Sequence, residues 1–357
     1  MKKQIAILTF YFAHNYGAML QAYALKRHLE LLGNTVNIIP YFPSYLKQGY
    51  SINPFLKGIS IKRRIYNMIS YLKRYKQAEK FEEFKKNLIL KKEFSERDDL
   101  IKFLKPYDVL ICGSDQIWNE KIASESEIYF GAGMDITKIS YAASLGTKEL
   151  SEIQRRNVKK YLSEFLSVSV REETGKKLIK EYIPDVQVVC DPVFLLSPND
   201  WEEIECRMTI QKKYVLLYLL EDNKLLYEYG KKYSQENNLE IYEIHPTRGI
   251  HHCEIKQLNN IGPTEFLYLV RNAEVICTNS FHAVAFSIIF EKKLIHIPNS
   301  NSPERSLFLL EKVGIKVIKD DLNKFPIYEF KEKNVMFNKF VEDSKQFIKD
   351  FIFEISN

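Results

Sequence analysis

Two periods alternate in the hydrophobic pattern of this chain. Gln4 to Phe10, with Ile5, Ile7, Leu8 and Phe10, is an apolar run of strand length. A turn at His14-Asn15-Tyr16-Gly17 follows. Leu20, Ala24, Leu25, Leu29 and Leu32 then repeat at helical spacing, up to a stop at Gly33-Asn34. Thr35 to Pro40 is strand-like again. Strand, helix and strand in so short a span make a βαβ unit, so a parallel sheet is expected. The rhythm breaks from Phe42 to Phe94, a long, Tyr-rich stretch with helical spacing at Ile65, Ile69, Leu72 and at Phe81, Phe84, Leu88.

It returns with strands at Tyr107–Cys112 and Lys138–Gly146, a helix Ser151–Leu166 with Ser151 as its N-cap, and a strand Leu166–Glu172. A helix Glu173–Tyr182, a strand Val186–Asp191 and an extended Asp191-Pro192 turn come next. Asp200-Trp201-Glu202-Glu203 reads as a polar linker. From Tyr214 the alternation restarts: strand 214–219, helix 223–236, strand 239–244, helix 265–271, strand 273–277, a helix opening at Phe281, strand 294–297, a helix from Glu304, and an amphipathic tail helix 338–355. Two α/β domains facing across a cleft are expected, with the boundary near Leu166: residues 1–165, carrying a basic helical insertion at about 57–92, and residues 166–357.

Open α/β sheets bind ligands where their strands end. The most informative such end is Cys277-Thr278-Asn279-Ser280-Phe281-His282. Three good N-cap residues precede a small-residue helix start, and His282 stands beside free N–H groups and the positive end of the helix dipole. An anion site is expected there, although a lone His at such a turn can equally be structural. Gly113-Ser114-Asp115-Gln116 ends another strand; it is a site edge or a turn capped by Asp115. The Gly17 turn lies at the end of the first strand and is not a GxGxxG fingerprint. Arg171 is either a guanidinium fork for a carboxylate or phosphate, or an ion-pair partner of Glu172 or Glu173. Arg305 falls in the first turn of a helix, where the dipole disfavours a cation, so it serves a ligand or is a surface residue. His245, His251 and His252 share a loop that is metal-binding or merely polar.

The 357 residues suffice for two domains, and 45% hydrophobic with 27% charged residues is an ordinary globular composition. No apolar run is long enough to span a bilayer, and the short run after Met1-Lys2-Lys3 reads as a buried strand and not a signal peptide. The five cysteines are scattered without zinc spacing, which fits free thiols in a reducing cytoplasm. Neither a metal nor a cofactor is expected. The net charge of +6 is local: Lys57 to Lys92 holds twelve Lys or Arg against Glu79, Glu82 and Glu83, a net +9, so the rest sums to −3. That argues against a nucleic-acid-binding protein. The basic stretch is either a solvated helical pair or a contact with an anionic membrane surface.

Six blocks, in order, carry a resemblance: Asn15-Tyr16-Gly17-Ala18-Met19-Leu20-Gln21-Ala22-Tyr23-Ala24-Leu25, Gly113 to Asn119, Ser140 to Gly146, Ser169-Val170-Arg171-Glu172, Cys190-Asp191-Pro192 and Asn279-Ser280-Phe281-His282. Together they resemble the polysaccharide pyruvyl transferase family. The resemblance implies two Rossmann-like domains in a glycosyltransferase-B-like arrangement. It further implies transfer of an enolpyruvyl unit from phosphoenolpyruvate to a sugar or lipid-linked oligosaccharide, giving a pyruvate ketal on a bacterial envelope glycan. Arg171 and His282 then hold the donor, together with Asn279, Ser280 and Phe281. Several members of the family carry Arg-Leu-His where this chain has Ser280-Phe281-His282, and Arg305 is the candidate for the missing cation. His282 is the expected acid and Asp115 the expected base. Asn15, Tyr16, Gly17, Ser114 and Gln116 are the expected acceptor side. A nucleotide-sugar glycosyltransferase and a non-catalytic glycan- or anion-binding protein are the competing readings.

Overall fold

The structure, a computed structural model, describes residues 2–43, 46, 60–123, 127–245, 252–315, 326–330 and 335–354. The first half rests on a parallel sheet in the order β2 (Thr35–Ile38), β1 (Gln4–Leu8), β3 (Val109–Cys112), β4 (Thr137–Ser140). In register, Ile5 sits between Val36 and Val109, and Leu110 pairs with Lys138. Ile5 to Leu8 and Val109 to Cys112 are buried on both faces, as a helix-covered parallel sheet requires. Around it lie α1 (Tyr16–Leu31), α2 (Ile61–Leu88), α3 (Arg97–Leu104) and α4 (Glu152–Tyr161), the last with the Ser151 capping box.

The first sheet does not stop at Leu166. β5 (Ser169–Val170) and β6 (Gln187–Val188) pair in parallel, and parallel bridges Ile139–Ser167 and Ala143–Val170 lay β5 along the extension of β4. The segment expected to open the second domain therefore continues the first, because the backbone of Ser167 to Val170 finds its hydrogen bonds there. α5 (Glu173–Ile179) connects these strands. α6 (Pro198–Ile204) occupies the stretch expected to be a linker. Its Trp201 is fully buried and donates to the Val193 carbonyl at 3.2 Å.

The second sheet has the order β12 (Ile327–Tyr328), β11 (Lys293–His296), β10 (Val275–Thr278), β7 (Tyr214–Tyr218), β8 (Glu240–Ile244), β9 (Lys256–Gln257), all parallel except β12. α7 (Lys224–Glu236), α8 (Pro263–Asn272), α9 (Phe281–Ile289) and α10 (Pro303–Lys312) link its strands. The tail helix α11 (Val335–Glu354) crosses back: Ser344 Oγ accepts from the Cys190 amide at 2.9 Å and Phe347 meets Tyr141. We propose that the domain boundary falls between Ile204 and Tyr214, with α11 returning to the N-terminal body. Cys112, Cys190 and Cys277 are buried free thiols; Cys206 and Cys253 are free and exposed. Among the described residues no helix is long and apolar enough to cross a membrane.

Tyr16 locks the two halves together. Its fully buried ring stacks between Phe81 of α2 and Phe266 of α8, at centroid distances of 5.4 and 4.7 Å. Its hydroxyl donates toward the carbonyls of Ile261 (3.2 Å) and His245 (3.3 Å) and accepts from Gln77 Nε2 at 3.1 Å. Lys80 of α2 pairs with the buried Glu265 of α8. The C-terminal part of the basic helix is thus a strut between domains and not a solvated face. Tyr16→Ala is expected to destabilise the protein by about 3–5 kcal/mol, and Tyr16→Phe by only about 0.5–1.5 kcal/mol, since Gln77 Nε2 also donates to both carbonyls. Urea denaturation reads both; small, equal effects would remove Tyr16 from this role.

Candidate active site

Where the two sheets' strand ends face each other there is a cavity of about 390 Å³. The first domain contributes Phe10, Phe12, Asn15, Asp115, Gln116, Asn119 and Lys121; the second contributes Asn279, Ser280, Phe281, His282, Asn299, Ser302 and Arg305. Three helices point their N-termini at it. Asn15 caps α1 by accepting from the Ala18 amide (3.1 Å), Ser280 caps α9 through the Ala283 amide (3.4 Å), and Ser302 precedes α10. Their partial positive charges converge on one volume, which favours an anionic occupant.

Behind Phe281 lies a buried charge cluster. Arg171 Nη1 donates to Asp191 Oδ2 at 2.8 Å, and the guanidinium also lies 3.7 Å from Glu172 and 3.8 Å from Asp115. His282 Nε2 is 3.6 Å from the same Asp191 oxygen, and the other Asp191 oxygen accepts from the Val193 amide at 3.1 Å. Burial pushes the Asp191 carboxyl toward its neutral form, but the bonding and charge of His282 and Arg171 outweigh it and hold its pKa below the usual carboxylate range. Arg171 is not in the cavity wall. It is the centre of a carboxylate cluster, which is the ion-pair reading of it with Asp191 and Glu172 as partners, and it does not reach the cavity as a donor-binding fork would.

Arg305 is differently placed. It lines the cavity, and its guanidinium carbon stands 5.7 Å from the Phe281 ring centre, with that of Arg171 at 5.1 Å from the same ring. Nη2 donates to Ser302 Oγ at 2.6 Å. With the Gln116 amide turned so that its oxygen faces Arg305, that oxygen accepts from both Nη atoms at 3.0 Å. Nε is enclosed without a hydrogen-bond partner, and among the described residues Arg305 makes no ion pair. Burial first, and then the charge of Arg171, lower its pKa. A guanidinium so enclosed is stabilised by an anion.

His282 is aimed by Gly17. A Cβ built on Gly17 would lie 2.0 Å from His282 Nδ1, so only glycine lets the ring settle on the first turn of α1. Gly17 therefore acts through His282. Asp115 has φ +74°, a region costly for a residue with a side chain. Its carbonyl accepts from the Ser144 amide at 2.9 Å, while its carboxylate reaches the cavity wall.

Other expected site residues stand elsewhere. Ser114 is fully buried, donates from Oγ to Gln21, and accepts from Thr9 Oγ1 through its carbonyl, so it does not reach the cavity. Tyr16 is the interdomain lock. Asn279 borders the cavity but spends its amide on the Leu220 amide (2.7 Å) and the Glu221 carbonyl (2.8 Å), which ties β7's exit to the α9 turn. His245 and His252 converge on the buried Glu243, at 3.0 and 2.8 Å from one oxygen. Burial opposes the charge of Glu243, but hydrogen bonds from His245, Gln257 and His252 hold its pKa at about 2. His251 lies outside the described residues. The residue given no role from the sequence is Asp191; its signal was the Asp-Pro pair at a strand end.

No curated protein matches the chain in sequence. Among solved structures, UDP-GlcNAc 2-epimerase from Neisseria meningitidis bound to UDP-GlcNAc is similar with a TM-score of 0.52 at 12% identity, covering 99% of this chain and 100% of that chain. A glycosyltransferase from Rickettsia africae is similar with 0.51 at 11%, covering 100% of this chain and 99% of that one. At such identities the likeness shows the fold alone: two Rossmann-like domains facing across a cleft in the GT-B-like arrangement. The family profile described as polysaccharide pyruvyl transferase matches residues 15–301, which include Gly17, Asp115, Arg171, Asp191 and His282, and the chain belongs to that family.

Proposed function

We propose that this transferase moves the pyruvyl unit of phosphoenolpyruvate onto two hydroxyls of a sugar in cell-surface polysaccharide assembly. The observation that carries the reading is Arg305, an enclosed guanidinium without an ion pair among the described residues, set where three helix N-termini meet. A compact trianion suits that place, and the amide groups of Asn15, Gln116, Asn119 and Asn299 in the same wall suit sugar hydroxyls.

In this reading the enol CH₂ takes a proton from His282, leaving an oxocarbenium-like centre at the adjacent carbon. A first sugar hydroxyl attacks that carbon and gives its proton to Asp115. Departure of inorganic phosphate regenerates the oxocarbenium, and the second hydroxyl closes the ketal and releases its own proton. Asp191 faces the Nε2 edge of His282 at 3.6 Å, which keeps a carboxylate beside the acid, and Gly17 leaves room for the ring. Phe281 is the plate between Arg305, which grips the donor, and Arg171, which keeps Asp191 ionised.

Mass spectrometry of a pyruvylated sugar product, formed only with phosphoenolpyruvate, tests the activity. Melting shifts obtained with UDP-sugars and absent with phosphoenolpyruvate would overturn it in favour of a glycosyltransferase. Arg305→Gln is expected to weaken phosphoenolpyruvate binding by about 10–100-fold, the loss of one or two charge-assisted hydrogen bonds; titration calorimetry reads it, and unchanged affinity would take Arg305 out of the donor site. His282→Gln is expected to lower kcat by about 10²–10⁴-fold. Asp191→Asn, with folding checked by circular dichroism, is expected to lower kcat while donor affinity holds, because it disturbs the acid and leaves Arg305 intact. A loss of binding alone would contradict that role. Gly17→Ala is expected to resemble His282→Gln in turnover, since its methyl takes the place of the ring.

A further inference from the structure

The two ends of α2 have opposite fates. Towards its C-terminus, Gln77 and Phe81 are buried at the interdomain junction and Lys85 is buried against the Phe12 carbonyl. Towards its N-terminus, Ile61, Ile65, Met68 and Ile69 are 77%, 58%, 39% and 45% exposed. At about 100° per residue these four share one stripe roughly 100° wide. The stripe lies on the side opposite Ala78 and Phe81, so the helix packs with one face and offers an aliphatic ridge with the other. Lys62 and Arg64, both exposed, flank the ridge on either side. From Ile61 to Lys76 the sequence holds six Lys or Arg and no acid.

Single exposed aliphatic residues are ordinary, but an ordered stripe of four needs an occupant. Charge complementarity chooses it. A second copy of this chain would bring a like-charged helix against the ridge. Nucleic acid would satisfy the cations and leave the isoleucines in water. A membrane surface with anionic headgroups satisfies both, since aliphatic side chains enter the headgroup–acyl boundary while Lys and Arg stay with the phosphates. We propose that the N-terminal part of α2 is a peripheral docking ridge for an anionic lipid surface. Neither signal suffices alone, so binding is reversible and salt-sensitive. The surface is separate from the cleft and does not depend on which sugar or donor the cleft takes.

The test is flotation of the full-length protein with vesicles of phosphatidylcholine alone or mixed with phosphatidylglycerol. Binding is expected only with the mixed vesicles and is expected to fall as salt rises. Lys62→Glu/Arg64→Glu is expected to reduce it at least about tenfold, and Ile65→Ser/Ile69→Ser by about tenfold. These positions are exposed, so melting temperature and turnover with a soluble acceptor are expected to stay at wild-type values. Equal binding to both vesicle types, no binding, or binding retained in both variants would overturn the proposal. So would light scattering that shows a wild-type dimer broken by Ile65→Ser/Ile69→Ser, or nucleic-acid binding lost only in Lys62→Glu/Arg64→Glu.

Discussion

One buried carboxylate joins the two domains chemically. Asp191 leaves the edge of the first sheet, takes the Arg171 guanidinium on one side and faces His282 of the second domain on the other. A charge so enclosed is costly unless every partner stays in place, and removing one partner leaves the others unsatisfied. That constraint orders the surroundings. Arg171 must be held at the end of β5, Asp191 must close the turn at Pro192, and His282 must approach within a few ångströms of both. The domain arrangement and the site geometry are therefore one requirement.

The same requirement explains the first turn of α1. The helix is buried along most of its length because both domains and the segment 192–195 pack on it. Its N-terminus has to offer a capped end to the cavity at Asn15, an aromatic lock at Tyr16 and a bare surface for the His282 ring at Gly17. Three consecutive residues thus have three different physical duties, and only the first borders the cavity. The neighbouring Arg305 is the counterpart of the Asp191 cluster. Around Arg171 three carboxylates outnumber the cation; around Arg305 no ion pair forms among the described residues. The cluster is preorganised structure, whereas the Arg305 side is where binding free energy is available.

Much of this was legible along the chain. The alternation of apolar strands and periodic helices announced two parallel sheets, and the N-cap residues before His282 and Glu152 located those helix starts closely. Strand ends pointed to the turns of Asp115, Arg171 and His282, because a parallel sheet puts all such ends on one side. The differences between the expectations and the structure have physical causes. Trp201 sits among acids, so its segment read as a linker, yet one indole can bury itself while its neighbours face water. Leu166 read as a boundary because sequence carries no record of which edge a two-residue strand will join. Ser114 and Tyr16 read as site residues because polar groups near a strand end look alike before burial is known.

Local chemistry by itself thus determined the fold class, the helix starts, the family-bearing blocks and the location of excess positive charge, since propensity, capping and composition act over a few residues. Tertiary structure alone decided which charges meet. Residues 17, 171, 191, 282 and 305 are far apart in sequence, and no periodicity reports a distance between them. It also split the basic helix into a buried strut and an exposed ridge, and it turned Asp191 from a turn residue into the carboxylate that binds Arg171 and faces His282. Those outcomes depend on which surfaces exclude water together, and only the packed chain settles that.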